Sequence, residues 1–416
     1  MSELIDNRAW RLGILKGIIK DLHAGAPVAG VRERLATLVR AVDANEIAAL
    51  EQELMAEGMP AEEVMEMCDL HSSVLGELLE QPPQRELLPG HPVDTFRREN
   101  EALIAVAQRL REAAATLAGL PEDAVPAEPP LRLRAALNDL LDVEKHYQRK
   151  ENLLFSVLER HGISGPSKVM WGKDDEVREL LRAFEEALRA EGLTTADLRL
   201  VMTTIGEPAA AAVEEMIRKE ESILLPMALE ALTEDDWSEI WEQSPPYGWC
   251  LVAPQTGFAP TRAVTPNPTV DLPPKAVVGF DAGALSFAQL RGLFGTLPVD
   301  LTFVDADDRV AFFSEGPDRV FARSRAIIGR KVQHCHPPAS VHVVERIVDD
   351  FRAARRSVAE FWIELHGRFV HIRYFAVRDE AGAYLGTLEV TQDLTRLRAL
   401  TGERRLLEDD AAEAGA

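Results

Sequence analysis

Cysteine is scarce in this chain. Three stand in 416 residues, Cys68, Cys250 and Cys335, far apart and without a CxxC pair. Neither a disulfide framework nor a cysteine-rich zinc site is indicated, and the usage fits a reducing cytoplasm. Positive charge is scarce too. Lys and Arg number 46 against 69 Asp and Glu, a formal net charge of −23. That balance disfavours sequence-independent nucleic-acid binding and docking on anionic membranes. No apolar run approaches the ~20 residues that span a bilayer. The opening "MSELIDNRAWRLGILKGIIKDLHAG" is interrupted by Lys16, Lys20 and Asp21, so it does not read as a signal peptide. No G-x-S-x-G elbow, Walker loop, dinucleotide fingerprint or HExxH occurs, and nothing downstream suggests a kinase, a cyclase or a helix-turn-helix. An enzyme is not indicated by these motifs.

What is present falls into modules, as the length suggests. Residues 1–82 read as an all-α N-terminal domain of short helices. Leu15, Ile18, Ile19 and Leu22 recur at helical spacing, Asp43 with Glu46 forms a capping-box pattern, and Pro60 suits a first turn. Residues 88–235 hold four longer helical patterns, at about 92–118, 131–160, 174–190 and 197–230. An irregularity is expected near Gly206 and Pro208, and the whole suggests an antiparallel four-helix bundle. Eight prolines between Pro245 and Pro274 mark a linker, placed at 244–292. From 296 to 396 the texture is α+β: "DLTFVDADDRVAFFS" reads as a hairpin, "HVVERIVDDFRAAR" as a helix, and three strands follow. An exit helix and acidic tail occupy 397–416.

Three segments carry family resemblances. "EQELMAEG" and "CDLH" resemble the domain-of-unknown-function 438 family. "HPVDTFRREN", "HYQRKENLLF" and "IRKEESILLPM" resemble a hemerythrin-like (HHE cation-binding) bundle. "LTFVDADDRVAFFS", "IIGRKVQHCHPP" and "GTLEVTQDLT" resemble a PAS domain. The fold class this implies is multidomain: an all-α N-terminal domain and a hemerythrin-like four-helix bundle, followed by an α+β PAS domain.

The hemerythrin resemblance implies non-haem iron, mono- or dinuclear, held by His and bridging carboxylates. Its usual helix motif is His with Glu at +4, which lies only ~40° around the helix, whereas +5 lies ~140° away. This chain departs from that motif. After His146, position +4 is Lys150, and Glu151 stands at +5. Before Glu220, the His position is Met216. Family-like candidates for a metal are His91, His146, Glu151, Asp174 and Glu220. Two readings stand open. One is an altered metal site built from these residues. The other is a bundle that kept its fold without the metal, with Lys150, Glu151, Lys219 and Glu221 on solvated faces. Lys150 and Glu220 as a buried ion pair in place of a metal is a variant of the second.

In the PAS-like segment, His334, Cys335, His336 and His342 fall within nine residues. His336 is the residue to test for haem. The commoner reading is a turn ahead of a helix, with Pro337 and Pro338 suited to its start, and haem is the lesser possibility. The PAS ligand itself is not specified. The resemblances together imply a sensor of oxygen, nitric oxide, redox state or a small ligand, with output in trans to a protein partner. A homodimer through the PAS domain and exit helix is expected. The alternatives are an iron-dependent enzyme or iron-handling protein and a cofactor-free scaffold.

Overall fold

The computed structural model describes residues 90–254, 256–258, 276–316, 319–365 and 367–403, with isolated positions at Gly13, Ile14, Gly17, Asp21, Glu53 and Leu87. The expected N-terminal domain therefore lies almost wholly outside the described residues. Of its isolated positions, Gly13, Ile14, Gly17, Asp21 and Glu53 are helical. Internal contacts divide the chain into two units: one through Thr269 together with Arg323–Val343, the other Val270–Ala322 with Val344 onward.

The first unit is built on four long helical arms. Arm one is α1 (Pro92–Ala115). Arm two runs through α2 (Pro129–Leu141), α3 (Val143–Arg149), a π-turn at Lys150–Leu154 and α4 (Phe155–Arg160). Arm three is α5 (Gly165–Arg189). Arm four runs through α6 (Thr195–Val201), a π-turn at Met202–Gly206, α7 (Glu207–Lys219), a second π-turn at Glu220–Leu224 and α8 (Leu225–Ala231). Helix α9 (Glu234–Gln243) closes the set. Helix α1 packs on α2 and α7, and α5 packs on the same two, which closes a four-membered ring.

The apolar spacing explains the faces. On α1, Phe96, Leu103, Val106, Ala107 and Leu110 are buried at intervals of three, four and seven. Helix α5 starts nine residues before the expected 174. Gly165–Pro166 is a helix start, since a proline in the first turn loses no hydrogen bond. The early start buries Val169 and Met170.

Both π-turns of arm four precede a proline. The Glu207 N–H bonds the Met202 carbonyl, and Pro208 follows. The Leu225 N–H bonds the Glu220 carbonyl, and Pro226 follows. A proline has no N–H, so sliding to i−5 spacing just before it absorbs the missing donor without breaking the helix. Gly206 has a second reason to be glycine: a Cβ there would lie 2.7 Å from Met202 Sδ and 2.9 Å from Phe184 Cζ.

The second unit holds a five-stranded antiparallel sheet in the order β4–β3–β7–β6–β5. Its strands are β3 (Asp300–Asp305), β4 (Val310–Phe313), β5 (Val358–Leu365), β6 (Arg368–Arg378) and β7 (Tyr384–Asp393). Helix α11 (Pro338–Arg352) precedes β5 in the chain, and α12 (Thr395–Arg398) follows β7. The "DADD" turn forms because Asp305 Oδ1 accepts from the N–H groups of Asp307 and Arg309, each at 2.9 Å, while Asp308 takes φ +63°. The end of the expected linker is structured as well: β1 (Val277–Phe280) pairs with β2 (Gly283–Ser286), and α10 (Phe287–Thr296) begins at a Ser286–Gln289 capping box. No described helix is long and apolar enough to cross a membrane.

Candidate functional site

Charged side chains from all four arms meet inside the bundle. Helix α1 places Glu99 on its buried stripe, three residues after Phe96. Arm two places His146, Arg149 and Lys150 inward, with Lys150 one helical turn beyond His146. Helix α5 contributes Asp174 and arm four contributes Glu220. Lys150 and Glu220 each open a π-turn, a kink form that is frequent at functional sites.

The contacts form one chain. His146 Nδ1 lies 2.9 Å from Glu99 Oε2, and His146 Nε2 lies 2.9 Å from Glu220 Oε2. Lys150 Nζ donates to Glu220 Oε1 at 2.5 Å and to Asp174 Oδ1 at 2.8 Å. Arg149 donates to Glu99, whose other oxygen accepts from the Cys250 N–H at 2.8 Å. Arg149 also stacks between the rings of Phe96 and Trp249, and Lys150 Nζ lies 4.2 Å from the Tyr147 ring centroid. All six charged groups are at most 2% exposed.

Burial opposes every charge here, and partners decide which charges survive. Burial raises Glu220, but Lys150 and His146 outweigh it and hold its carboxyl at about 2. Burial lowers Lys150, yet Asp174 and Glu220 raise it above its ordinary value. His146 follows the same pattern, raised by Glu220 and Glu99 against burial. Asp174 is the weak acid of the set. Burial pushes it well up, Lys150 compensates only in part, and its Oδ2 has no hydrogen-bond partner among the described residues. Glu220 thus keeps its negative charge beside the Lys150 ammonium.

This arrangement does not fit a metal ion. The Lys150 ammonium stands between the two carboxylates that would ligate one, and both His146 nitrogens are already engaged by carboxylates. Among the described residues, no group of three or more His, Cys, Asp or Glu side chains is disposed to hold a metal.

Of the five candidate ligands, the fold brings His146, Asp174 and Glu220 together, through Lys150. Glu151 lies beside them but faces Arg178, which bridges both of its oxygens at 2.8 and 3.0 Å. His91 sits elsewhere. Its Nδ1 caps α1 by accepting from the Val93 N–H at 3.1 Å, and its ring packs against Trp237 and Phe258. Met216, at the usual His position, is buried in the apolar core. Lys150, Glu151 and Lys219 are buried, so the expectation of solvated faces fails for these three; helix periodicity does not show which polar faces meet at a bundle centre. Glu99 and Arg149 are essential to the cluster and were not singled out from the sequence. A lone acid on the apolar stripe of α1 is the signal that could have found Glu99. His334 contacts Glu159 at 3.3 Å, Cys335 Sγ donates to the Lys331 carbonyl, and His336 follows that turn, half-buried.

Comparison with known families gives three matches. Residues 15–81 match the Family of unknown function (DUF438), 91–228 the Hemerythrin HHE cation binding domain, and 290–395 the PAS domain. No curated protein matches the chain. Similar solved structures include a C-terminal domain from Streptococcus mutans, at 32% identity and TM-score 0.30, covering 31% of this chain and 99% of that one. A sensory box sensor histidine kinase from Vibrio cholerae has 18% identity and TM-score 0.21, covering 26% of this chain and 89% of that one. The PAS domain of Bordetella pertussis BvgS has 19% identity and TM-score 0.21, covering 28% and 85%. The chain thus carries three modules in order, a DUF438-like segment, a hemerythrin HHE bundle and a PAS domain.

Proposed function

We propose that this protein is a sensory signalling protein of the cytoplasm. In this reading the PAS region receives a small ligand or a redox signal, and the hemerythrin-like bundle responds without a metal. The observation that carries the second half is the Lys150 ammonium, held between Asp174 and Glu220 where the family would place a cation. A lysine supplies the positive charge permanently and offers no open coordination position, which removes the basis for oxygen or nitric oxide capture at iron. The same ammonium disfavours the iron-dependent enzyme and iron-handling readings.

In this reading output passes in trans, to a protein partner. We propose a homodimer through the PAS region. Val358, Phe361, Trp362 and Ile363 are exposed along β5, one of the two edge strands of the sheet, and Leu397 and Leu400 are exposed after β7.

The test is metal analysis and an absorption spectrum of the purified protein, with native mass spectrometry on the same sample. The expected result is no stoichiometric iron, no oxo-bridge or Soret band, and a retained small molecule or a ligand-responsive dimer. Iron near one or two ions per chain would overturn the metal-independent bundle. A Soret band would move the cofactor to haem and make His336 the first residue to replace.

A further inference from the structure

Arm two has a π-turn that no proline explains. The Phe155 N–H bonds the Lys150 carbonyl at i−5 spacing, and Ser156 comes next. Where i−5 spacing ends and α4 resumes i−4 bonding, one carbonyl is passed over, here that of Glu151. A buried carbonyl needs a donor. Its donor comes from 179 residues away: Arg330 Nη1, at 3.2 Å. The neighbouring Asn152 carbonyl accepts from Ser324 Oγ at 3.3 Å.

Both donors belong to Arg323–Val343, the stretch of the PAS-matched region that packs within the first unit. Arg330 is its anchor. It meets Glu159 with Nε at 2.6 Å and Nη2 at 2.8 Å, and its guanidinium lies 5.6 Å from the Trp171 ring centroid. The two charged side chains are 2% and 7% exposed. His334 and Ser167 complete the shell around Glu159. Upstream, Ala326 is buried in the bundle core and its N–H donates to Gln243 Oε1 at 3.1 Å. The backbone between these anchors is two short 3-10 turns, Arg325–Ile327 and Val332–Cys335, held by local bonds.

We propose that Arg323–Val343 is a releasable strap, latched by Arg330 onto the arm-two π-turn, and that the strap and the buried Lys150 cluster bias each other through that turn. The π-turn is the shared element. One of its faces places Lys150 between Asp174 and Glu220, and its passed-over carbonyl takes Arg330. Loss of the Arg330 donor leaves Glu151's carbonyl unsatisfied and favours a return to α spacing, which shifts Lys150. A change at Lys150 loosens the strap by the same linkage. Because both ends of the strap continue into the PAS region, its release would carry a bundle state outward along the chain. The inference rests on the sensor reading for its purpose, though not for its mechanics.

Hydrogen–deuterium exchange of the full-length protein tests it. Arg330→Ala is expected to speed exchange about tenfold or more in 323–336 and measurably in 151–156, while α1, α7 and β5–β7 keep their protection. Lys150→Gln, which alters a side chain hydrogen-bonded to Asp174 and Glu220, is expected to speed exchange in 323–336 as well. Unchanged strap protection in Arg330→Ala overturns the latch. A strap that opens without any change in 151–156, or that is indifferent to Lys150→Gln, overturns the coupling. If Arg330→Ala unfolds the bundle, Arg330→Lys decides, because it keeps the charge but cannot bridge both Glu159 oxygens and the carbonyl. Opening of the strap alone in that variant supports the proposal, and opening only with the whole bundle overturns it. These readings need no ligand, so a protein that shows the latch yet retains no small molecule would count against the sensor reading alone.

Discussion

Lys150 and Glu220 each open a π-turn, on two different arms, and their side chains meet in the middle of the bundle. Each kink thus carries one member of the buried ion pair at its first residue. Neither residue has solvent to fall back on, so each depends on the other for its charge.

The first prediction concerns that dependence. Lys150→Met should destabilise the bundle by about 3–5 kcal/mol, because Glu220 and Asp174 remain buried without their cation. Adding Glu220→Gln should recover a large part of the loss, since the partner charge is then gone. Urea unfolding of the two single variants and the double variant gives the coupling. Independent, additive losses would show that the pair contributes nothing as a pair.

Metal content follows from the same geometry. Wild type reconstituted anaerobically with iron should stay near zero. Lys150→Glu combined with Met216→His should take up about one ion per chain, because it removes the ammonium and restores the missing imidazole. Elemental analysis reads the result. Equal iron in both proteins would mean that Lys150 does not stand in the cation position.

His91 separates a cap from a ligand. His91→Ala should cost about 1 kcal/mol by removing the acceptor for the Val93 N–H, and somewhat more through lost ring packing. Metal content and the exchange protection around Lys150 should not change. A fall in bound metal on this substitution would place His91 in a metal site after all.

Acid should release the strap. Burial raises the Glu159 carboxyl, but His334 and Arg330 outweigh it and hold it at about 2, below its ordinary 4.5. The folded value is the lower one. The contribution is therefore present above pH 4.5 and is lost as pH falls from 4.5 towards 2. A shift of this size corresponds to about 3 kcal/mol. Exchange in 323–336, measured across that window, should rise earlier in wild type than in Glu159→Gln. The variant starts looser and should show a flatter profile.

The modules were legible because their signals are local. Phe96, Leu103 and Leu110 mark one helix face without help from the rest of the chain, and "DADD" makes its turn from its own Asp305 carboxylate. The irregularity at Gly206 and Pro208 was legible for the same reason: a proline removes a donor wherever it stands. Lys150 with Glu220 could be anticipated as a pair, since a lysine at a ligand position must find an anion if it is buried.

The pairing of Glu99 with Arg149 was not legible, although Glu99 alone on its apolar stripe was. Their meeting depends on how arms one and two face each other, which periodicity does not encode. The arm-two π-turn was hidden for a deeper reason. Nothing within residues 150–156 demands it, and its partner Arg330 lies 179 positions away, in a different family match.

That distance has a consequence for how such a chain can change over generations. Bundle and PAS modules joined only by a tether could be traded between proteins like beads on a string. Here a stretch of one carries the donor that the other's backbone lacks. A bundle transplanted without residues 323–343 would inherit an unfilled carbonyl and an uncovered Glu159. A PAS region transplanted alone would carry an arginine shaped for a helix it no longer meets. The pair is expected to have been inherited, duplicated and lost together.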